Sequence, residues 1–288
     1  MEMLQDFVSS VNKLVWGVPM LCLLVGTHIF FTFRLRFIQR HLFKAIKISV
    51  TKDSHSEGDI SQFGALATAL AATIGTGNIV GVATAVALGG PGAVLWCWLT
   101  GLLGIATKYS EGLLAVKYRV KTADGTMLGG PMYALERGAK MKWLGILFSI
   151  FTAIACIGTG NLTQGNSITS MLKTSFNINP YISGAVITVA ASVVLLGGVK
   201  SIAKVCGSLV PFMAVFYIIG CAVVLVVNAP YLPEAVVTIF SRAFTPQAAA
   251  GGFAGSTIIA AMRFGISRGL FSNEAGMGSA PIAAAAAT

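Results

Sequence analysis

Long apolar runs dominate this chain and alternate with short polar stretches. A helix needs about 20 mainly apolar residues to cross the hydrocarbon core of a bilayer, and in lipid every backbone polar group has to be satisfied within the span. The pattern therefore predicts an all-α integral membrane protein with about seven spans. The runs cover roughly residues 14–33, 61–89, 92–116, 143–172, 181–198, 206–228 and 252–288.

The second run carries poor helix formers in its interior, in the motif IGTGN at residues 74–78. One interpretation is close helix packing. Gly77, Gly81 and Ala85 are spaced four residues apart and would form a stripe of small residues against another helix. The stripe gives no reason for the other members of the motif, and asparagine is a poor residue for a helix interior but a good one for a helix start.

The other interpretation is a discontinuous helix that ends near Ile74 and starts again near Asn78. The ends of two half-helices expose carbonyls, which suit a cation, and N–H groups, which suit a carboxylate. A small zwitterionic amino acid and a small cation match both ends. The residues that would meet the amino acid are Gly75, Thr76, Gly77 and Asn78. The residues that would meet the cation are Ala72, Ile74 and Gly75.

The seventh run has the same property, because RGLFSNEAGMGSAPIAAAAA (268–287) interrupts its apolar residues around Asn273, Glu274 and Gly276. Ser279 is a candidate cap for a second half that starts near Pro281. Broken helices that open two five-helix units of opposite direction are typical of inverted-repeat secondary transporters. Three parts are predicted: an extra transmembrane helix and a surface helix over 1–60, the first repeat over 61–228, and an external connection with the broken helix of an incomplete second repeat over 229–288.

The motif IGTGN occurs again at residues 157–161, in the fourth run, and the chain continues LTQGNSIT. The amides of Gln164 and Asn166 thus lie within a spanning segment. Such groups face the interior of a helix bundle, where they either join helices or line a site. Both interpretations of Gln164 stay open, and the second motif is a candidate for bringing it toward the first.

Charge sets the expected orientation. The chain is 55% hydrophobic and 10% charged, with a net charge of +10, whereas a soluble domain is about a quarter charged. Fourteen lysines and arginines fall on one set of loops and three on the other, so the positive-inside rule places the N-terminus outside the cell membrane. No basic patch is interleaved with aromatic residues, which argues against nucleic-acid binding.

Two segments between the runs predict surface helices. Residues 36–50 alternate basic and apolar positions at helical spacing, which favours an amphipathic helix on the cytoplasmic leaflet over a solvated basic loop. A similar element is expected outside at 234–246. The five cysteines occur singly and predict neither disulfides nor a metal site. The three histidines lie near the end of the first run or in the loop after it, and no catalytic set or cofactor motif is present, so an enzyme is not expected.

Charged residues at membrane depth need partners or water. Lys108 and Glu111 are three residues apart and predict a local ion pair near the interface. Glu274 is expected to pair with Arg268 or Arg263 and to fix the broken segment of the seventh run.

With these residues in view, the sequence resembles the alanine-or-glycine:cation symporter family. The resemblance is carried by GTGNIVGVATAVALGGPGAVLWCWLTGLLGIATKYSEGLLAVKYR (75–119), GGPMYAL (129–135), IGTGNLTQGNSI (157–168) and RGLFSNEAGMGSAPIAAAA (268–286). It implies a LeuT-type inverted-repeat fold behind one extra N-terminal helix. It also implies uptake of alanine or glycine with Na⁺, or with H⁺ in some members.

The same resemblance implies roles for single residues. Thr76 and Gly77 would offer backbone groups to the substrate carboxylate, and Gln164 would hydrogen-bond the substrate. Asn273 and Met277 would contribute from the break in the seventh run, near Gly276. Phe271 is a candidate for an apolar wall against the small side chain.

One departure bears on function: the chain stops after seven spans, whereas members of that family have more. The helices that complete the sodium site of a LeuT-type fold are absent, so a fragment of a longer protein or a truncated, non-transporting product is expected. A passive channel is a further alternative, since broken helices also line filters.

Overall fold

The computed structural model describes residues 2–51, 58–244 and 258–287, most of which are helical. The α-helices are α1 (Glu2–Val15), α2 (Val18–Arg34), α3 (Leu42–Val50), α4 (Gln62–Thr73), α5 (Val82–Gly89), α6 (Ala93–Lys117), α7 (Pro131–Tyr133), α8 (Lys142–Ala155), α9 (Thr163–Phe176), α10 (Pro180–Leu196), α11 (Gly198–Val227), α12 (Leu232–Phe244), α13 (Ile258–Asn273) and α14 (Ala280–Ala284). Shorter helical turns occupy Ile38–His41, Gly77–Gly81, Ala134–Gly138, Cys156–Leu162 and Ala229–Tyr231.

The helices follow the predicted apolar runs, each of which contains a helix or a helix pair. Within the described residues, two continuous helical stretches are long and apolar enough to cross a bilayer, Lys142–Phe176 and Gly198–Val227. The number rises to four if two interrupted pairs each count as one span. These lengths fit an all-α membrane protein, and the total of seven spans stays a prediction. Residues 252–257 of the seventh run lie outside the described part.

The two segments predicted as surface helices are helical, and their position on the membrane surface stays a prediction. The turn Ile38–His41 and helix α3 occupy the segment predicted at 36–50. The left-handed backbone of Arg36 and Phe37 separates them from α2. Helix α12 covers most of the segment predicted at 234–246, whose last two residues lie outside the described part.

A short hairpin adds the strands that an all-α prediction lacked. Strand β1 (Val120–Lys121) pairs antiparallel with β2 (Met127–Leu128) in the loop that follows α6. Here the apolar run has ended, and the turn residues Asp124 and Gly125 allow the chain to reverse.

Contacts divide the chain into two compact units that each draw on distant parts of the sequence. The first comprises Met1–Leu42, Gly77–Ser110 and Ile218–Met277, and the second comprises Phe43–Thr76, Glu111–Tyr217 and Gly278–Thr288. The division crosses the sequence parts 1–60, 61–228 and 229–288, whose assignment as repeats stays a prediction. Both interrupted runs change unit within their breaks, at 76–77 and at 277–278.

Each unit has a small buried core. In the first unit, Leu21 of α2 packs with Ile266 and Leu270 of α13. In the second unit, Ile60 packs with Ala65, Ala203 and Ala286. Large apolar side chains elsewhere are widely exposed, above all on α10 and α11, as expected of helices that face lipid rather than water.

Candidate functional site

The second apolar run is broken where the sequence predicted a discontinuous helix. Helix α4 ends at Thr73, and Ile74 leaves helical geometry with φ −90° and ψ 87°. A π-helical turn over Gly77–Gly81 then leads into α5. The discontinuous helix is therefore confirmed, with the first half ending one residue earlier than expected and the second half starting at Gly77 rather than Asn78.

The packing stripe predicted as the alternative is present as well. Gly77, Gly81 and Ala85 are all buried, and α5 packs along α13. A Cβ on Gly77 would lie 3.1 Å from Cδ1 of Phe271 and 3.6 Å from Cα of Ser272. The first residues of the motif break the helix, and its later residues pack closely against α13. The two interpretations therefore describe different parts of the motif.

Gln164 lies against the end of the first half-helix. The hydroxyl of Thr76 donates a hydrogen bond of 2.7 Å to its Oε1, and the Thr76 main-chain N–H donates a longer one of 3.4 Å to the same atom. A Cβ on Gly75 would lie 3.6 Å from both terminal atoms of the amide. Gln164 thus joins the two IGTGN segments, and its Nε2 group makes no hydrogen bond within the described residues.

The second IGTGN explains how Gln164 reaches this position. Residues Cys156–Leu162 form a π-helical turn between α8 and α9, and Gln164 is the second residue of α9. A π-helical turn changes the direction in which the following side chains point relative to a regular α-helix. The helix stays continuous here, unlike at the first motif.

The seventh run is broken between α13, which ends at Asn273, and α14, which begins at Ala280. Glu274, Gly276 and Gly278 all have left-handed backbone, with φ of 54°, 86° and 76°. The predicted restart near Pro281 is confirmed, but the predicted cap is wrong, since the Ser279 side chain makes no capping hydrogen bond at the helix start. The break leaves Gly276 and Met277 exposed.

The ammonium group of Lys108, on α6, contacts this break at two points, a main-chain oxygen and a carboxylate. Its Nζ donates a 2.9 Å hydrogen bond to the main-chain oxygen of Asn273 and lies 3.9 Å from Oε2 of Glu274. The sequence predicted Arg268 or Arg263 as the partner of Glu274, and the ion pair in the structure is with Lys108. The local pair of Lys108 with Glu111 stays a prediction.

The side chain of Asn273 turns back onto its own segment. Its Oδ1 accepts a 2.8 Å hydrogen bond from the N–H of Ala275. Its Nδ2 is buried and makes no hydrogen bond within the described residues. An amide donor without an acceptor in a buried position is costly, and a substrate oxygen is one group that would satisfy it.

His28 is the functional candidate that sequence reasoning missed. It is 1% exposed, so protein encloses its imidazole, which its position near the end of the first run did not indicate. Its Nδ1 lies 2.7 Å from the hydroxyl of Thr107 on α6. Two features of the sequence could have pointed to this contact: the single histidine within the first apolar run, and the threonine next to Lys108 in the third run.

The predicted cation ligands lie at the end of α4. Ala72 is exposed, and Ile74 and Gly75 are half-buried. The described residues contain no group of three or more His, Cys, Asp or Glu side chains suited to a metal ion. The discontinuous-helix prediction assigns a cation to main-chain oxygens at this place, and that assignment stays a prediction.

Comparison with known proteins adds an independent observation. The model of a family described as the sodium:alanine symporter family matches residues 1–288. The sodium/alanine symporter AgcS of Methanococcus maripaludis is 52% identical over 98% of the chain and 64% of its own length. The putative sodium/proton-dependent alanine carrier protein YrbD of Bacillus subtilis is 41% identical over 98% of the chain and 57% of its own length.

The name of a third relative contains a different amino acid. The probable sodium/glutamine symporter GlnT of Bacillus subtilis is 39% identical over 100% of the chain and 59% of its own length. The chain spans 57–64% of the length of these three relatives. All three are named as transporters, in line with the expectation that the chain is not an enzyme.

Proposed function

Because the chain belongs to the sodium:alanine symporter family, we propose that it serves the Na⁺-coupled import of a small neutral amino acid, alanine or glycine. The observation that carries the proposal is the helix break at Ile74, whose neighbours meet the amide of Gln164. A membrane protein gains nothing from interrupting a helix in lipid unless the freed backbone groups have another partner.

The break supplies groups for the amino acid. The helical stretch that starts at Gly77 presents its N-terminal end at the break, and the main-chain N–H groups of such an end carry partial positive charge that attracts a carboxylate. Gln164 adds an amide donor, Nε2, beside Gly75. In this proposal Gly75, Thr76, Gly77 and Asn78 bind through their backbone, and Gln164 binds through its side chain.

The break in the seventh run supplies further groups and sets the size limit. Asn273 offers the buried Nδ2 that has no acceptor among the described residues. Phe271 lies beside Gly77, where an added Cβ would be 3.1 Å from its ring, and in this proposal it serves as the apolar wall. Gly276 and Met277 are exposed at the break and would contribute backbone and thioether atoms. A wall of this kind favours a methyl or hydrogen side chain over larger ones.

Na⁺ would be bound by main-chain oxygens at the end of α4, around Ala72, Ile74 and Gly75, which is where a broken helix presents carbonyls. Each positive charge carried inward gains about 2.3 kcal/mol per 100 mV of membrane potential, which drives accumulation of the amino acid. H⁺ is the alternative coupling ion, and the printed name of YrbD includes both ions.

The architecture proposed for this activity is a LeuT-type inverted repeat in the cell's inner membrane, with seven spans in this chain and the N-terminus outside. The break of the second run at Ile74 and the left-handed break of the seventh run around Glu274 support it. So do the basic loops that separate the runs, through the positive-inside rule.

The proposal is tested with purified protein of full natural length reconstituted into liposomes. We expect saturable uptake of labelled alanine that requires an inward Na⁺ gradient and is lost when K⁺ replaces Na⁺. Isothermal titration should show alanine binding that tightens with Na⁺.

Three outcomes separate the alternatives. Uptake that follows a pH gradient and ignores Na⁺ would replace the coupling ion with H⁺. Non-saturating flux without either gradient would indicate a channel and contradict symport. Absence of alanine binding under all ion conditions would contradict the proposed substrate.

A further inference from the structure

His28 connects three elements of the first unit around the break in the seventh run. It belongs to α2, the helix that precedes the predicted repeats, and its Nδ1 lies 2.7 Å from the Thr107 hydroxyl of α6. A Cβ on Gly276 would lie 3.9 Å from Cε1 of His28 and 3.3 Å from Cδ2 of Leu24. One face of the broken segment therefore rests on α2.

The hydrogen bond with Thr107 determines how the ring lies. Without it the buried imidazole would lose the polar contact that favours this ring orientation, and the surface presented to Gly276 would be less well defined. Thr107 is 3% exposed, so the bond is shielded from water. In water, competing hydrogen bonds would weaken it. The adjacent Lys108 holds Asn273 and Glu274 of the same segment.

The segment depends on such support because its own geometry is unfavourable. Glu274 has φ 54°, a left-handed conformation that non-glycine residues seldom adopt because it is strained. Glycine at 276 and 278 adds freedom rather than rigidity. Outside contacts must therefore select one conformation, and consecutive residues of α6 provide them, Thr107 through His28 and Lys108 directly.

We propose that His28 is a positioning residue for substrate binding: oriented by Thr107, its ring supports Gly276 and thereby fixes the main chain that carries Asn273 and Met277. This inference rests on the proposed function. It assigns α2, which lies outside the predicted repeats, a part in the affinity for the amino acid.

The test compares two matched substitutions on α6 in protein of full natural length. Thr107→Val removes the hydroxyl that orients His28 and keeps the side-chain shape. Thr100→Val is the control, because Thr100 is also 3% exposed, lies two turns earlier on α6 and bonds only Trp96 O of its own helix.

Two measurements are made on both variants. Thr107→Val should raise the KM for alanine about tenfold, equivalent to about 1.4 kcal/mol, with little change in the maximal rate. Hydrogen exchange of the amides over 274–279 should become faster in the same variant. Thr107→Ser, which keeps a hydroxyl, should restore both, and Thr100→Val should change neither.

Several results would overturn the proposal. Equal effects of Thr107→Val and Thr100→Val would assign the change to general loss of a buried hydroxyl. A lower melting temperature with unchanged KM and unchanged exchange over 274–279 would show a structural role alone. If the unsubstituted protein does not bind alanine, the proposed function fails, while faster exchange in Thr107→Val would still establish the support of Gly276.

Discussion

The five-residue sequence IGTGN occurs twice, and the structure uses the two copies in different ways. At 74–78 the helix breaks, Gly75 lies against Gln164, and Gly77 lies against Phe271. At 157–161 the helix continues as a π-helical turn, and neither Gly158 nor Gly160 has an atom near the place where a Cβ would be. The same residues thus permit a break in one place and a wider turn in the other.

The difference lies in the neighbours. Glycines in a helix weaken it by lowering the cost of other conformations, but they do not choose among them. At the first copy a phenylalanine and a glutamine from distant parts of the chain each occupy space beside a glycine. At the second copy no such neighbour is described, and the backbone keeps its internal hydrogen bonds as lipid requires.

The largest expected difference between the copies comes from adding a β-branched side chain to each. Gly77→Val should destabilise the protein by about 1–3 kcal/mol because the new atoms overlap Phe271, and it should abolish alanine binding. Gly160→Val meets open space and should leave binding unchanged. Thermal unfolding and alanine titration of both variants provide the comparison, and equal losses would show that the copies do not differ in packing.

A smaller effect is expected from removing the link between the copies. Gln164→Leu keeps the approximate size of the side chain and leaves the Thr76 hydroxyl without its acceptor, at a cost of about 1–2 kcal/mol. We expect alanine affinity to fall about tenfold, the equivalent of 1.4 kcal/mol. Asn166→Leu is the control, since Asn166 is exposed two residues further along α9. If both variants bind alanine equally well, Gln164 only joins helices.

The break in the seventh run extends the comparison to a segment that an ion pair supports. Glu274→Gln should free one contact of Lys108 and destabilise the protein by about 1 kcal/mol, since both side chains are partly exposed and solvent screens such pairs. Hydrogen exchange should rise over 274–279 and stay constant over 74–78, where packing supports the break. A rise in both segments would contradict this division of support.

The smallest expected effect is a pH dependence of the turn at Asp124. This turn lies outside the predicted spans and outside both copies of IGTGN. Hydrogen bonds from the side chains of Thr122 and Thr126 lower the pKa of Asp124 below its usual value of 3.8. Because the folded pKa is depressed, the stabilisation is present above about pH 4 and is lost as the pH falls through the folded value. Exchange of the Gly125 amide should rise in this acid range, and Asp124→Asn should remove that pH dependence.

Sequence alone predicted the features that depend on local chemistry. The poor helix formers of the first motif located its break to within one or two residues, and the glycines around Glu274 located the other. Charge and apolar spacing predicted the surface helices. The backbone preferences of glycine and the distribution of apolar residues indicate where such features can form, although glycine alone does not decide whether a helix breaks.

The features that join distant residues escaped prediction. Lys108 and Glu274 are far apart in the chain, so a rule based on residues three positions apart could not find this pair. His28 gave no pattern, because one imidazole in an apolar run fits an interface as well as a core. The break at the first motif also depends on its surroundings, since the second copy has the same residues and stays helical.

The anchor formed by Lys108 has a consequence for how such a site changes during evolution. Its 2.9 Å hydrogen bond goes to the main-chain oxygen of Asn273, not to its side chain. Any residue at 273 keeps that oxygen, so a substitution there removes the Asn273 side chain and leaves the Lys108 hydrogen bond in place. If the segment binds the amino acid as proposed, a single substitution at 273 would change the groups offered to the substrate while this anchor is kept.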